Sequence, residues 1–221
     1  MMDFNGRSLV PYIPPEEYDK IAQEFLKKYY PQALSSPMPV PIEDIAKNEM
    51  GLDVRYICLS EEQDIYGMTI FTDGIVEFYD PVEKLYDTQI FKSKTVLIDP
   101  VAVKKTNSGC KNNTIAHECV HWYKHRLFYK RQQFVLPRYA KFCKCRISQL
   151  PETIEEENIM ESQATGIAPR ILMPKNTFIE AAKHLSVTYG RDNRDAIHAL
   201  ADFFDVSRQS VEIRLEECSL L

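Results

Sequence analysis

The spacing of apolar positions changes character twice along this chain. Behind Pro14 and Pro15, the residues Ile21, Phe25 and Leu26 recur at helical spacing, with acids in the first turn. That pattern predicts a helix over EEYDKIAQEFLKKYY. PQALSSPMPV (31–40) reads as an irregular connector. Pro41 opens a short helix, PIEDIAKNEM, which Gly51 can end. Four short runs follow: LDVRYICL, YGMTIFT, GIVEFYD and KTVLIDP. They are rich in β-branched and aromatic residues and broken by turn residues, so they predict a small, mostly antiparallel sheet of about three or four strands.

From Asn112 onward the chain reads as helices. Asn112 or Asn113 can cap the helix carrying TIAHECVHWYKHRLFYK. Pro137 and Pro151 bracket a middle segment. A helix from about 153 to 167 comes next, and Pro169 is expected to end or kink it. Helices near 175–186, 192–204 and 207–218 complete the chain. The order, sheet first and helices after, is α+β. At 221 residues, 44% hydrophobic and 27% charged, the chain is expected to form a single domain over 1–221. Within it, 1–110 supplies helices and the small sheet, 111–174 the chemistry-bearing helices, and 175–221 packed C-terminal helices.

A net charge of −5 argues against a chain built globally to hold nucleic acid. The distribution is uneven: residues 124–146 carry eight Lys or Arg and no acid, and residues 152–161 carry five Glu. No run is long enough for a membrane span, and MMDFNGRSLVPYIPPEEYDK lacks the apolar core of a signal peptide. The expected location is the cytoplasm. Cys58, Cys110, Cys119, Cys143, Cys145 and Cys218 are therefore read as reduced thiols. Cys143 and Cys145 form a C-x-C pair. A structural metal site built on them would need two more ligands, of which Cys110 is the nearest spare, and no second paired spacing supports it.

The chemistry concentrates at His117-Glu118-Cys119-Val120-His121. On a helix, positions i and i+4 lie one turn apart on the same face, so two imidazoles there can converge on one ion. The glutamate beside the first histidine can reach a metal-activated water and take its proton. The apolar neighbours Ile115, Ala116, Val120 and Trp122 argue that the histidines point inward rather than to solvent. His125 continues the series but lies about 12 Å along the axis from His117, too far to share the ion, and is expected to hydrogen-bond behind it. The third ligand is sought in IEEENIMESQATGIA. Glu161 shares a face with Ala164, Ile167 and Ala168, and a carboxylate against apolar packing needs a partner. Glu156 and Glu157 belong to a solvated acidic run, with Glu157 the fallback ligand one turn earlier.

These residues resemble the ImmA/IrrE family of metallopeptidases. TIAHECVHWYKH looks like the family's T-x-A-H-E-x-x-H helix with its trailing histidine. ESQATGIAPRILMP looks like its E-x-x-A…L-L-M-P block, and AIHALADFFDVSRQSVEIRLEECSL fits its closing pattern. Cys119 and Val120 stand where the family commonly has Leu and Gly, Thr165 and Ile167 replace its usual Asn and Phe, and Pro169-Arg170 interrupts the last block. The resemblance implies a compact zincin-like core, Zn2+ as cofactor, His117, His121 and Glu161 as its ligands, and Glu118 as general base. It further implies an intracellular peptidase whose substrate is a regulatory protein, such as a helix-turn-helix repressor of transcription.

The oxyanion stabiliser stays open among Tyr66, Tyr79, Tyr123 and His198. Three rival expectations stand beside the peptidase. One is a nucleic-acid contact through 124–146, whose cations alternate with Phe128, Tyr129, Phe134, Tyr139 and Phe142. A second is a helix-turn-helix in 195–217, which Glu212, Glu216 and Glu217 disfavour. The third is a non-proteolytic zinc-binding sensor, against which an open fourth metal position argues. No membrane partner is expected.

Overall fold

The computed structural model of the chain describes residues 10–106, 109–132, 140–146, 155–188, 190 and 192–221. Pro137, Pro151, Phe134, Tyr139 and the expected helix start near 153 lie outside the described residues. Six strands are described: β1 (Asp53–Tyr56), β2 (Ile65–Ile70), β3 (Gly74–Asp80), β4 (Leu85–Phe91), β5 (Thr95–Ile98) and β6 (Phe142–Arg146). They form a four-stranded sheet of order β1-β5-β2-β6 and a separate hairpin, β3-β4. Within the larger sheet, β1 runs parallel to β5, and the other two pairings are antiparallel. Mixed helix and sheet, with most helices after the sheet, is the class the hydrophobic pattern predicts.

Alternation along the strands gives the sheet two different faces. Val54, Val96 and Ile98 join the main core on the helical side. Met68, Ile70 and Leu97 face the other way and pack with Val76 and Phe91 of the hairpin. The hairpin thus covers one face of the sheet, and the helices cover the other.

The helices are α1 (Tyr18–Tyr29), α2 (Ile42–Asp44, continued by a π turn Ile45–Glu49), α3 (Pro100–Thr106), α4 (Cys110–Val120), α5 (Arg126–Gln132), α6 (Glu155–Leu172), α7 (Lys175–His184), α8 (Arg194–Phe204) and α9 (Arg208–Glu217). A π turn, His121–His125, joins α4 to α5. Helix α4 packs against β2 and β5 on one side and α6 on the other, and α6 in turn packs against α1. Gly166 permits that last approach: a Cβ there would lie 2.2 Å from the Tyr18 ring. Every residue of α4 from Thr114 to Val120 is buried, as expected for a helix enclosed on both sides.

The structure corrects several expectations. The sheet gains a strand from the basic segment, since Phe142–Arg146 pairs with β2. FCKCR alternates apolar and basic residues at period two, a signal hidden by the density of cations around it. Strand β4 was not expected because its side chains from Leu85 to Ile90 are exposed. Only its pairing with β3 makes it a strand. The short helix α3 was not expected either, and the Asp99 carboxylate caps it by accepting from the N–H groups of Val101 and Ala102. Asn112 and Asn113 do not cap α4. Gly109 precedes it, and Asn112 lies inside the helix and donates to the Asp205 carboxylate at 2.7 Å. Helix α6 runs on past Pro169 to Leu172. Beside it, the Arg170 guanidinium donates to the Gly166 carbonyl.

Arg214 on α9 is 1% exposed. It donates to the Met173 carbonyl at 3.1 Å and pairs with Asp19 on α1 and Glu217. A buried cation so paired ties α9 to α1 and to the end of α6, and removing it leaves Asp19 and Glu217 with Arg170 alone, at 3.8 and 2.9 Å. Arg214→Ala is expected to destabilise the fold by about 3–5 kcal/mol, read by denaturant unfolding. A milder tie joins Glu43 to Lys111, the second residue of α4, at 3.1 Å and to Lys47 at 2.6 Å. Burial alone would raise the Glu43 pKa, but hydrogen bonds from Lys47, Tyr56 and Lys111 outweigh it and hold it at about 2, against 4.5 ordinarily. A depressed folded pKa stabilises above the unfolded value and is lost as pH falls through the folded one. Thermal melts of wild type and Glu43→Gln are expected to differ at neutral pH and to converge as pH falls from 4.5 to about 2.

Candidate metal centre

Four ionisable side chains of one helical stretch are buried together: His117 3%, Glu118 0%, His121 0% and His125 0% exposed. Uncompensated, such groups would be costly in an apolar interior. The structure gives partners to each, and those partners define the site.

His117 and His121 present their Nε2 atoms 2.9 Å apart. Glu161, reaching across from α6, sets Oε2 3.1 Å from His117 Nε2 and Oε1 3.1 Å from His121 Nε2. Donors bound tetrahedrally to zinc at about 2.0–2.1 Å stand roughly 3.3 Å from one another. The triangle is therefore close to the size one small ion requires, and His117, His121 and Glu161 form one of two groups able to hold a metal among the described residues. Glu157, the fallback, lies one turn earlier on α6 and is not in that triangle.

Charge fits the same reading. Burial would raise the Glu161 pKa, but His121 and His117 outweigh it and hold the carboxyl well below its usual range. At His117 burial opposes a proton, yet the Cys145 sulfur and Glu161 outweigh burial and lift the imidazole well above its ordinary value. The pocket is thus built to hold positive charge at this point.

Behind the triangle runs a chain of hydrogen bonds that fixes which nitrogen of His121 is bare. Gln163 Nε2 donates to the Pro11 carbonyl at 2.8 Å, so its Oε1 faces His125. Oε1 only accepts, so His125 Nε2 is the protonated nitrogen, 2.9 Å away. Burial, then the neighbouring His121, push the His125 pKa well down, keeping it neutral. Its Nδ1 then accepts from His121 Nδ1 at 3.0 Å. His121 is left with its Nε2 lone pair facing His117 and Glu161, the state a metal ligand needs. The π turn from His121 to His125 brings these two rings to a centroid distance of 5.0 Å. His125 thus hydrogen-bonds behind the triangle, as its spacing predicts. Gln163 carries no sequence signal of its own beyond lying two residues after Glu161.

Glu118 sits beside the triangle with its Oε2 accepting from the Thr69 hydroxyl at 2.7 Å. Its Oε1 is buried and has no hydrogen-bond partner in the structure. Burial lifts this carboxyl to about 7, against the lowering pull of His117 and the Thr69 hydroxyl. Strand β2 makes room for it: a Cβ at Gly67 would lie 2.8 Å from Glu118 Oε1. Thr69 and Gly67 were not singled out in the sequence. Nor was Cys145 tied to this centre, yet its sulfur groups with His117 and Glu118, their donor atoms lying within 4.8 Å of one another. Cys110, the spare ligand considered for a C-x-C site, lies instead 3.9 Å from Thr114 at the start of α4.

Of the four candidates for oxyanion stabiliser, two make aromatic ring contacts. Tyr79 packs edge-on against Tyr86 and Tyr123 against Phe25, with centroid distances of 5.3 and 5.5 Å. Tyr66 precedes Gly67 on β2, and His198 lies on α8. In the basic segment, Lys124 lies over the Tyr123 ring and Lys144 over the Phe142 ring, both at 5.3 Å. Helices α8 and α9 meet at Asp205, in the left-handed region at φ 53°. Helix α9 turns Val211, Arg214 and Leu215 inward, so the pair packs onto the core.

Two helix-borne histidines, a carboxylate from a second helix and an acid alongside form a donor set of the metallopeptidase kind. Residues 104–216 match the metallopeptidase family whose domain is described as IrrE N-terminal-like, and the chain belongs to that family. The match takes in α4, α6 and most of α9. No curated protein matches the chain. Among the described residues, no helix is long and apolar enough to cross a membrane.

The hydrogen-bond chain yields a test. Gln163→Leu and His125→Ala are each expected to weaken metal binding about 10- to 100-fold, measured by competition with a chromophoric chelator. Unchanged affinity in both variants would remove the chain from the site.

Proposed function

We propose that the chain is a zinc-dependent endopeptidase acting inside the cell. In this reading His117, His121 and Glu161 hold Zn2+, a gluzincin-like set, and Glu118 is the general base. The observation that carries it is the triangle of three side chains whose facing nitrogen and oxygen atoms lie about 3 Å apart, closed across two helices, with a partnerless buried carboxylate oxygen beside it.

Zinc, when bound, polarises a scissile carbonyl and lowers the pKa of a water. The rest is the chain's own work. Glu161 supplies the anionic donor from α6. The Gln163–His125 chain orients His121. Glu118, held at Oε2 by Thr69 and free at Oε1, takes the water's proton and delivers it to the departing amine. A carboxyl lifted to about 7 is well matched to both steps near neutral pH.

The substrate class is a protein or peptide, as membership of a peptidase family supports. The finer expectation, a transcriptional repressor, rests on resemblance to the ImmA/IrrE family alone. Treating 1–221 as one domain is supported by a single apolar cluster that runs from Val10 to Leu215. The cation–aromatic contacts of Lys124 and Lys144 use the chain's own rings, which favours a structural reading of 124–146 over a nucleic-acid contact.

Elemental mass spectrometry of the purified protein is expected to find about one zinc per chain, with marked loss in Glu161→Ala. Glu118→Gln is expected to keep its zinc and lose hydrolysis. Hydrolysis surviving in zinc-loaded Glu118→Gln would remove Glu118 from the mechanism. Zinc retained in full by Glu161→Ala would remove Glu161 from the ligand set and point to Glu157.

A further inference from the structure

The hydrogen-bond chain behind His121 does not end inside residues 104–216, which carry the family match. Its first acceptor is the Pro11 carbonyl, which takes a hydrogen from Gln163 Nε2 at 2.8 Å. Pro11 lies in a stretch, 11–14, that belongs to no helix or strand. Its neighbours Val10 and Ile13 are buried in the main core, while Tyr12 is exposed. Two apolar anchors thus seat one backbone carbonyl against Gln163.

A carbonyl can only accept, and this sets the direction of every bond that follows. With Gln163 Nε2 engaged by Pro11, Oε1 accepts from His125 Nε2, His125 Nδ1 accepts from His121 Nδ1, and His121 Nε2 stays bare. The reverse order satisfies the same three side chains. Gln163 Nε2 would then donate to His125 Nε2, His125 Nδ1 would donate to His121 Nδ1, and His121 Nε2 would carry a proton. The two orders have the same net charge. They differ in the rotation of one amide and in which nitrogen of each ring is protonated. Opposite pulls act at the two ends. Glu161 Oε1, 3.1 Å from His121 Nε2, accepts from that nitrogen only in the reverse order. At the other end the reverse order would set Gln163 Oε1 against the Pro11 carbonyl, two acceptors facing each other. Gln163, His125 and His121 are 2%, 0% and 0% exposed, so bulk water does not replace a lost bond.

From these relations we propose that residues 10–13 are a positioning element of the metal centre. When the segment is seated, the Pro11 carbonyl selects the order that leaves His121 Nε2 free to ligate. When it is released, the chain reverses and that nitrogen is protonated toward Glu161. Pro11 touches no reacting group and acts only through Gln163, His125 and His121. Coupling between two sites is reciprocal. An ion on His121 Nε2 therefore holds the segment in place by as much as the seated segment favours the ion. This inference rests on the reading of His117, His121 and Glu161 as metal ligands.

Amide hydrogen exchange of the full-length protein, read by NMR with and without saturating zinc, tests the coupling. Exchange at the Tyr12 and Ile13 amides is expected to slow about 5-fold or more on zinc loading. In Gln163→Leu at saturating zinc the slowing is expected to be lost, because the link is cut. Exchange that does not slow in the zinc-bound wild type overturns the proposal while leaving the three-ligand reading intact. Equal slowing in Gln163→Leu also overturns it, since zinc would then act by general stabilisation of the fold. Failure of the wild type to bind zinc at all overturns both readings. Nitrogen-15 NMR of the zinc-loaded wild type checks the direction of the chain and needs no variant, so a poorly folding Gln163→Leu does not shield the idea. His125 is expected to carry its proton on Nε2 and His121 on Nδ1. A His125 protonated on Nδ1 instead overturns the proposal.

Discussion

The cost of placing charge inside an apolar interior governs this molecule. Helix α4 is enclosed between the sheet and α6, and its buried stretch carries His117, Glu118 and, just beyond, His121 and His125. Each group must be neutral, paired or bound to a cation. His125 is neutral and hydrogen-bonded to Gln163. His121 and His117 face a carboxylate from α6. Glu118 is half satisfied by Thr69 and keeps one oxygen without a partner. The neighbouring elements follow from these needs. Helix α6 has to pack on α4 for Glu161 to arrive, and on its other side the absent side chain of Gly166 lets it sit against Tyr18 of α1. Strand β2 has to come close enough for Thr69 to reach Glu118, which Gly67 permits.

How much of this was legible in the sequence depended on whether the signal was local. His117, Glu118 and His121 declare themselves because helical geometry alone makes a site of their spacing. Glu161 could be singled out from its acidic neighbours because it shares a stripe with Ala164, Ile167 and Ala168, and the structure brings it, not Glu157, to the histidines. Helices α1, α7, α8 and α9 formed where apolar spacing placed them. What stayed hidden depends on long-range pairing. Strand β4 presents no apolar face along most of its length and exists only opposite β3. Strand β6 was masked by its cations, and with it the approach of Cys145. Thr69 and Gln163 are ordinary residues whose importance comes from which atom they meet. At Pro169 the sequence offered an end or a kink, and the helix runs on to Leu172.

Outside the site, the same rule secures the architecture. Arg214 is enclosed by α1, α6 and α9, and it is tolerable there because the Met173 carbonyl, Asp19 and Glu217 all accept from it. Arg170 on α6 joins the same carboxylates, reaching Glu217 at 2.9 Å. The helix that delivers Glu161 to the two histidines is therefore clamped at its far end by an ion-pair network. Position along α6 is set from both ends, and a site whose donors come from two helices needs that control.

The late arrival of β6 bears on how the chain acquires its chemistry. Strand β2 meets a partner 72 to 81 residues further on, from Ile70 with Phe142 to Ile65 with Arg146, and Glu161 meets His117 across 44 residues. Such contacts carry the loop-closure entropy of long excursions and tend to form after local ones. The hairpin and the β1–β5–β2 sheet can assemble from contacts made before α4 is in place. The meeting of His117 and His121 with Glu161 needs the second half of the chain docked. The candidate donor set is therefore made by the contacts of longest sequence separation, not by the local ones that build the hairpin.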